Sequence, residues 1–296
     1  MKKVLIIVGP TGVGKTEFSL KIAKKYNLDI ISGDSIQVYK GLDIGSAKIK
    51  DTQGIVHYGI DILENTEKYS VVDFQNLARN IIDNNDVSMI VGGTGFYIKA
   101  CIYDYEFVEE DLDDAVYDEY KDKTNEELYE LLKEIDYESS KKIHVNNRKR
   151  IIRALIISKQ GISKSEIEKK QKKELIYDAY IVGCTMDRKT LYERINKRVL
   201  LMIEEGLENE VKLLLDSGLS FDDLSMQGIG YKEWKEYFSG DIDKDEVIRL
   251  IQRNSRNFAK RQYTWFNNQM DVNWVNMLDE DEIKDILKRI DKWIKD

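Results

Sequence analysis

The first third of the chain alternates between two hydrophobic periods. Short, largely apolar runs at residues 4–8, 29–32 and 88–93 are typical of strands in a parallel sheet, whereas Lys15–Tyr26 has helical spacing. A fourth strand-like run spans residues 179–185. Strands separated by helices predict an α/β fold, a parallel sheet flanked by helices, with its active site at the carboxyl ends of the strands.

The middle of the chain is different, because residues from about 109 to 173 contain no convincing strand. The stretch 124–135 is amphipathic, with Thr124 as N-cap and Glu127 three residues later, a capping box. We therefore predict one core built from residues 1–108 and 174–296, interrupted by a mainly helical insertion at about 109–173.

Long helical patterns dominate the remainder. Gly206 and Gly218 each end one such pattern, and residues 244–266 form another. Residues 271–276 are a possible edge strand, and a charged helix closes the chain.

Composition favours a soluble globular protein, with 42% hydrophobic and 34% charged residues among 296. No apolar run approaches the roughly 20 residues that span a bilayer. Two cysteines are too few for a disulfide framework. We expect a cytoplasmic protein with no membrane partner.

Charge is unevenly distributed along this acidic chain, whose net charge is -8. Residues 141–153 hold six Lys or Arg and residues 249–261 hold five, both without an acid, while acid is concentrated at 109–114 and 279–282. This segregation predicts two basic surfaces that suit a nucleic acid.

The segment GPTGVGKT, residues 9–16, fits the phosphate-loop pattern and lies between a strand and a helix. Its glycines let backbone N–H groups surround a phosphate, Lys15 adds charge, and Thr16 offers a hydroxyl to Mg²⁺. A merely tight turn would not require Lys-Thr after the glycine. The loop alone does not identify the reaction, because kinases, ATPases and GTPases share it.

Further blocks make the pattern more specific. They are DSIQVYKGLDIGSAK from Asp34, GGTGFYI from Gly92, NRKRIIRAL from Asn147, DRKTLYERINKRV from Asp187, QGIGYKE from Gln227 and AKRQYTWF from Ala259. With the phosphate loop, their order and spacing closely resemble the bacterial tRNA dimethylallyltransferase (tRNA isopentenyltransferase) family.

The resemblance implies a P-loop NTPase-like core and an alkyl transfer. A dimethylallyl group would pass from dimethylallyl diphosphate to N6 of the adenine immediately 3′ of the anticodon, in tRNAs that read codons beginning with U. The loop would then hold a diphosphate that leaves. The helical insertion would contact the anticodon stem-loop, and the protein would act as a monomer without an obligate protein partner.

The resemblance also implies roles for individual residues. Asp34 would be the general base, Thr94 would lie close to the reacting base, and Arg198 is preferred over Arg194 as a ligand of the departing diphosphate. The remaining diphosphate ligands would be Gly9, Thr11, Gly12, Val13, Gly14, Lys15, Thr16 and Arg194, with Thr16 also on Mg²⁺.

Contacts to tRNA are expected from four segments. The residues are Asp34, Ser35, Ile36, Gln37, Lys149, Arg150, Arg153, Gln227, Gly230, Tyr231, Arg256, Lys260, Arg261 and Gln262. In the last segment a cationic stripe, which includes Arg256 and Lys260, faces away from an apolar seam of Ile251, Phe258 and Trp265. A solvated charged face is the alternative interpretation of that stripe.

Two other functions are compatible with part of this pattern. A nucleoside or nucleotide kinase explains the phosphate loop, Asp34 and the helix arginines, but not the basic residues at 249–261. A non-catalytic RNA-binding protein needs neither the phosphate loop nor Asp34.

Overall fold

The computed structural model describes residues 1–105, 107, 118–159, 161, 163–170 and 174–296. The acidic run at 109–114 and the predicted insertion boundaries at 109 and 173 lie outside these residues. Backbone contacts divide the chain into two compact units, the first formed by Met1–Ile102 with Leu175–Asp296 and the second by Tyr103–Glu174.

The first unit contains a six-stranded sheet in which every pairing is parallel. The strands are β1 (Lys3–Val8), β2 (Ile30–Gly33), β3 (His57–Tyr58), β4 (Val87–Gly92), β5 (Asp178–Thr185) and β6 (Asn273–Asn276). Their order is β3-β2-β4-β1-β5-β6. The predicted α/β architecture and the predicted edge strand are confirmed, whereas β3, only two residues long, was not predicted.

Helices of the first unit cover the sheet and build a second core beside it. They are α1 (Lys15–Tyr26), α2 (Val71–Asp83), α3 (Gly95–Ile102), α8 (Arg188–Glu204), α9 (Leu207–Asp216), α10 (Lys235–Phe238), α11 (Lys244–Gln269) and α12 (Glu280–Lys295). Strand residues such as Leu5 and Ile7 are fully buried against α1, α8 and α12. The second core gathers Val211, Tyr231 and Trp234 around the carboxyl end of α8.

The second unit is helical in its described part. Its helices are α4 (Asn125–Ile135), α5 (Tyr137–Ser140), α6 (Arg148–Lys159) and α7 (Lys164–Lys170). The predicted capping box is confirmed, since Thr124 Oγ1 accepts from Glu127 N and Glu127 accepts from Thr124 N. Leu128, Leu132 and Ile151 bury the facing sides of α4 and α6.

Helix α11 corrects one detail of the sequence analysis. Its buried positions are Val247, Ile251, Ala259, Gln262 and Phe266. They follow the 3.6-residue period of a straight helix. Ala259 and Phe266 are therefore buried where the predicted seven-residue seam placed Phe258 and Trp265. In the described part of the chain no helix has the length and apolarity to cross a bilayer.

Candidate active site

Three loops meet at the carboxyl edge of the sheet. β1 runs into the glycine loop, β2 into Asp34 and β4 into Gly93 and Thr94. The register pairs Val8 with Gly92 and Gly33 with Gly92, so these strands end at the same level. The candidate residues therefore gather where parallel sheets place their binding sites.

The glycine loop adopts a backbone that requires glycine. Gly12 and Gly14 have φ of 80° and 104°, in the left-handed region. The ammonium of Lys15 donates to the carbonyls of Gly9 and Pro10, both at 2.9 Å. Burial lowers the pKa of Lys15 to about 8. The cation is thus held inside its own loop, where a bound anion would restore its ordinary preference for the charged form.

A cavity of about 320 Å³ opens beside this loop, and we call it the phosphate-loop cavity. Its lining is rich in cations. It comprises Gly12, Gly14, Lys15, Thr16, Arg194, Lys197, Arg198 and Leu201. Lys197, which sequence reasoning missed, could have been recognised from its position three residues after Arg194 on the same helix.

Not every predicted diphosphate ligand lies on that wall. Gly9 instead holds Lys15 through its carbonyl, and the side chain of Val13 is fully buried. Thr11 lines a different cavity. Gly9 and Val13 therefore help to shape the loop.

A second cavity, of about 350 Å³, contains the carboxylate and is called here the Asp34 cavity. This volume lies within the usual range of small-molecule sites, about 300 to 1,000 Å³. Its polar wall includes Thr11, Asp34, Ser35, Thr94, Gln227, Arg198 and Arg261. Its apolar wall includes Ile36, Ile195, Val199, Met202, Ile251 and Phe258, most of which the sequence analysis did not assign to a site.

Arg198 belongs to both cavities. Its guanidinium donates to the hydroxyl of Thr11 at 3.1 Å. Burial lowers the pKa of Arg198, and the nearby carboxylate of Asp34 partly opposes this effect. Because arginine stays charged in proteins, a fixed positive charge lies where the two cavities meet.

Asp34 is held by the turn that it begins. Its Oδ1 accepts from the backbone N–H groups of Ile36, at 2.9 Å, and Gln37, at 3.3 Å. Among the described residues no hydrogen bond is recorded on Oδ2. The carboxylate is therefore oriented by its own loop while it lines the cavity with one oxygen available. Thr94, directly before α3, lines the same cavity and donates its backbone N–H to Gly33.

Four of the residues expected to contact RNA have polar side-chain atoms that are already bonded inside the protein. Gln37 donates to the carbonyls of Ser46 and Ala47, and Arg256 donates to the side chain of Asn196. The Tyr231 side chain is fully buried, and that of Gln262 is 6% exposed.

Gln262 connects two of the loops that form the site. Its Oε1 accepts from Thr11 N at 2.9 Å, and its Nε2 donates to Gly93 O at 3.0 Å. Gln262 lies on the inner face of α11, so its amide fixes the glycine loop against the end of β4.

The cations that remain exposed lie on the outer face of α11. Lys260 and Arg261 are exposed, and Arg261 reaches the Asp34 cavity. Lys260 and Arg261 also line a shallow groove with Trp265. In the second unit, taken by itself, Lys149, Arg150 and Arg153 are exposed near the start of α6.

Within the described chain no cluster of three His, Cys, Asp or Glu could form a metal cage. Thr16 nevertheless lines the phosphate-loop cavity at the start of α1. Magnesium usually keeps few protein ligands and takes the rest from water and substrate phosphates. The single hydroxyl of Thr16 beside an anion-binding cavity is consistent with this kind of coordination.

Known proteins resemble this chain over nearly its whole length. The family model described as IPP transferase matches residues 37–269, and the one described as isopentenyl transferase matches residues 2–55. The tRNA dimethylallyltransferase of Bacillus cytotoxicus is 46% identical over 98% of this chain and 95% of the relative.

Solved structures agree with the sequence matches. The tRNA isopentenylpyrophosphate transferase of Staphylococcus epidermidis is 41% identical, with a TM-score of 0.73 and 99% of each chain covered. A eukaryotic dimethylallyltransferase crystallised acting on tRNA is 27% identical, with a TM-score of 0.82 over 93% of this chain and 74% of that one. These matches support the P-loop NTPase-like core and do not support the kinase alternative. The chain belongs to the tRNA dimethylallyltransferase family of prenyl-transferring enzymes.

Proposed function

We propose that the protein transfers a dimethylallyl group from dimethylallyl diphosphate to N6 of the adenine immediately 3′ of the anticodon. The substrates would be tRNAs that read codons beginning with U, and the products N6-dimethylallyladenosine and diphosphate. The observation that carries this proposal is the meeting of two cavities at Arg198, one lined by the phosphate loop and the other by Asp34.

In this proposal the adenine leaves the anticodon loop and enters the Asp34 cavity, because its amine is otherwise stacked. The allylic C–O bond breaks and its electron pair leaves with the diphosphate, while the amine nitrogen forms the new C–N bond. Asp34 accepts the proton that the nitrogen loses. Its oriented carboxylate and its place on the cavity wall support this role.

Arg198 binds the leaving diphosphate from one side, and the phosphate loop binds it from the other side. Its fixed charge, beside Thr11, suits the negative charge that develops as the C–O bond breaks. Lys15, Arg194 and the N–H groups at the start of α1 add to the same anion site. The apolar wall formed by Ile195, Val199 and their neighbours excludes water from the allylic carbon.

Thr16 would hold Mg²⁺ together with oxygen atoms of the diphosphate. When bound, the ion neutralises part of the charge on the leaving group.

The tRNA would bind across Asp34 to Ile36, Gln227, Gly230, Lys260 and Arg261, with Thr94 beside the flipped base. Exposure of Lys260 and Arg261 next to the Asp34 cavity supports this part. Lys149, Arg150 and Arg153 would contact the anticodon stem-loop from the insertion. We expect a cytoplasmic monomer.

The test is transfer of label. Purified protein is incubated with Mg²⁺, radiolabelled dimethylallyl diphosphate and tRNA from cells that lack the modification. Label should appear in RNA, in N6-dimethylallyladenosine after digestion. Absence of label in RNA, or phosphate transfer from γ-labelled ATP to a nucleoside, would overturn the proposal.

A further inference from the structure

Glu210, on α9, lies outside both cavities but accepts four hydrogen bonds beside one of them. Oε2 accepts from the backbone N–H groups of Asp43, at 3.1 Å, and Ile44, at 2.7 Å. Oε1 accepts from the N–H of Gly45, at 3.1 Å, and from the hydroxyl of Tyr231, at 2.8 Å. A carboxylate has about four acceptor sites, so this one is fully used.

These bonds join two segments of the Asp34 cavity wall. Gly45 and Ser46 lie on one segment and residues 228–230 on the other, and all of them line the cavity. The hydroxyl of Tyr231 accepts from Ser46 N at 3.1 Å. The segments touch so closely that a Cβ on Gly45 would lie 2.5 Å from the Tyr231 ring.

The same loop leads back to Asp34. Gln37 donates to the carbonyl of Ser46 at 3.2 Å, and its own backbone N–H donates to Asp34 Oδ1. A continuous series of hydrogen bonds therefore runs from Glu210 to the carboxylate that we assign as base. No part of this series includes the glycine loop.

We infer that Glu210 is a positioning residue that holds the RNA side of the active site in shape while leaving the diphosphate side unaffected. This inference rests on the proposed function. The physical reason is that a charged acceptor binds three backbone N–H groups at once, more strongly than a neutral amide could. In Glu210→Gln one acceptor oxygen is replaced by an NH₂ group that faces donors and cannot bind them.

The experiment compares Glu210→Gln with Glu208→Gln. Glu208 lies on the same helix, and its carboxylate also accepts from a tyrosine hydroxyl, that of Tyr237, and from Lys244. None of these three residues lines either cavity. For each variant kcat/KM is measured with an anticodon stem-loop RNA, and the Kd for inorganic pyrophosphate is measured by calorimetry.

Glu210→Gln should lower kcat/KM for RNA at least tenfold and leave the Kd for pyrophosphate within twofold of the wild type. Glu208→Gln should change neither by more than twofold. An unchanged kcat/KM for RNA in Glu210→Gln, or an equal loss of pyrophosphate affinity, would overturn the inference.

A second variant covers the case in which Glu210→Gln does not fold. Tyr231→Phe keeps the buried ring and removes the hydroxyl that joins Glu210 to Ser46. It should lower kcat/KM for RNA at least threefold, with pyrophosphate binding unchanged, and wild-type values would contradict the inference. Lack of transfer by the wild-type protein would instead count against the proposed function.

Discussion

The guanidinium of Arg198 donates a hydrogen bond of 3.1 Å to the hydroxyl of Thr11. This contact ties the long helix α8 to the glycine loop and fixes a positive charge between the two cavities. Arg194, one turn earlier, lines only the phosphate-loop cavity of the two and is exposed. The two arginines should therefore differ in their effects.

Arg198→Ala should lower kcat/KM by about 10² to 10³, the usual effect of removing one group that stabilises the charge of a transition state. Arg194→Ala should lower it only a few-fold, because exposed ion contacts contribute about 0.2 to 1 kcal/mol. Steady-state kinetics with varied dimethylallyl diphosphate measures both. Equal losses in the two variants would contradict the preference for Arg198.

Asp34→Asn should lower the single-turnover rate by about 10² to 10⁴ while RNA affinity is retained, since the amide cannot act as general base. Its Oδ1 can still accept from Ile36 and Gln37, so the turn is preserved. Fluorescence anisotropy with labelled stem-loop RNA checks the binding.

Asp29→Asn is the matched control for that measurement. Asp29 is exposed and precedes β2 at the opposite end from Asp34. Its substitution should leave the rate unchanged. A wild-type rate in Asp34→Asn would exclude Asp34 as the base.

Lys15 should make pyrophosphate binding sensitive to pH. In the free protein its pKa is about 8, so its charge is lost as the pH rises through 8, and affinity should fall between pH 7 and 9.5. Lys15→Arg keeps its charge over this range and is the control for titration of the ligand itself. Calorimetry at several pH values should show a steeper fall for the wild type than for Lys15→Arg.

Lys15 should also make the free energy of unfolding depend on pH. The pKa of Lys15 in the folded state, about 8, is lower than its ordinary value of 10.5, so between these pH values the unfolded chain binds more protons. The contribution of Lys15 to the free energy of unfolding is therefore unfavourable below pH 8 and becomes less so as the pH rises to about 10.5. Denaturant unfolding of the wild type and Lys15→Met from pH 7 to 10 should show their difference shrinking with pH.

Salt dependence should identify the RNA surface. Lys260→Ala and Arg261→Ala should each weaken stem-loop binding and reduce the slope of log K against log salt by roughly 0.7 to 0.9. Lys292→Ala is the control, because the adjacent Trp293 bonds Asp178 at the amino end of β5, away from the site. An unchanged slope in Lys260→Ala and Arg261→Ala would favour the solvated-face interpretation of α11.

Sequence patterns predicted the sheet and the loops at its carboxyl edge, because buried parallel strands and the glycine loop have strong local signals. They did not predict β3, since two residues carry no period. Glu210 was also missed, as a carboxylate on a charged helix cannot be told from a solvated one until the facing N–H groups are placed.

Tyr231 and Gln262 show what a sequence motif leaves open. The family blocks identified both positions as important, but a motif does not specify whether a side chain faces the ligand or the protein. Both side chains are buried and bond neighbouring loops. Only the neighbours in the folded structure distinguish a residue that contacts the ligand from one that holds the surrounding loops in place.

Arg261 and Gln262 are consecutive in α11, yet one reaches the cavity that we assign to RNA and the other holds the glycine loop. A helix turns by about 100° per residue, so inserting or deleting one residue upstream in α11 would turn Gln262 away from the glycine loop. The hold on the phosphate loop and the reach toward the RNA cavity therefore depend on the same rotational setting of one helix.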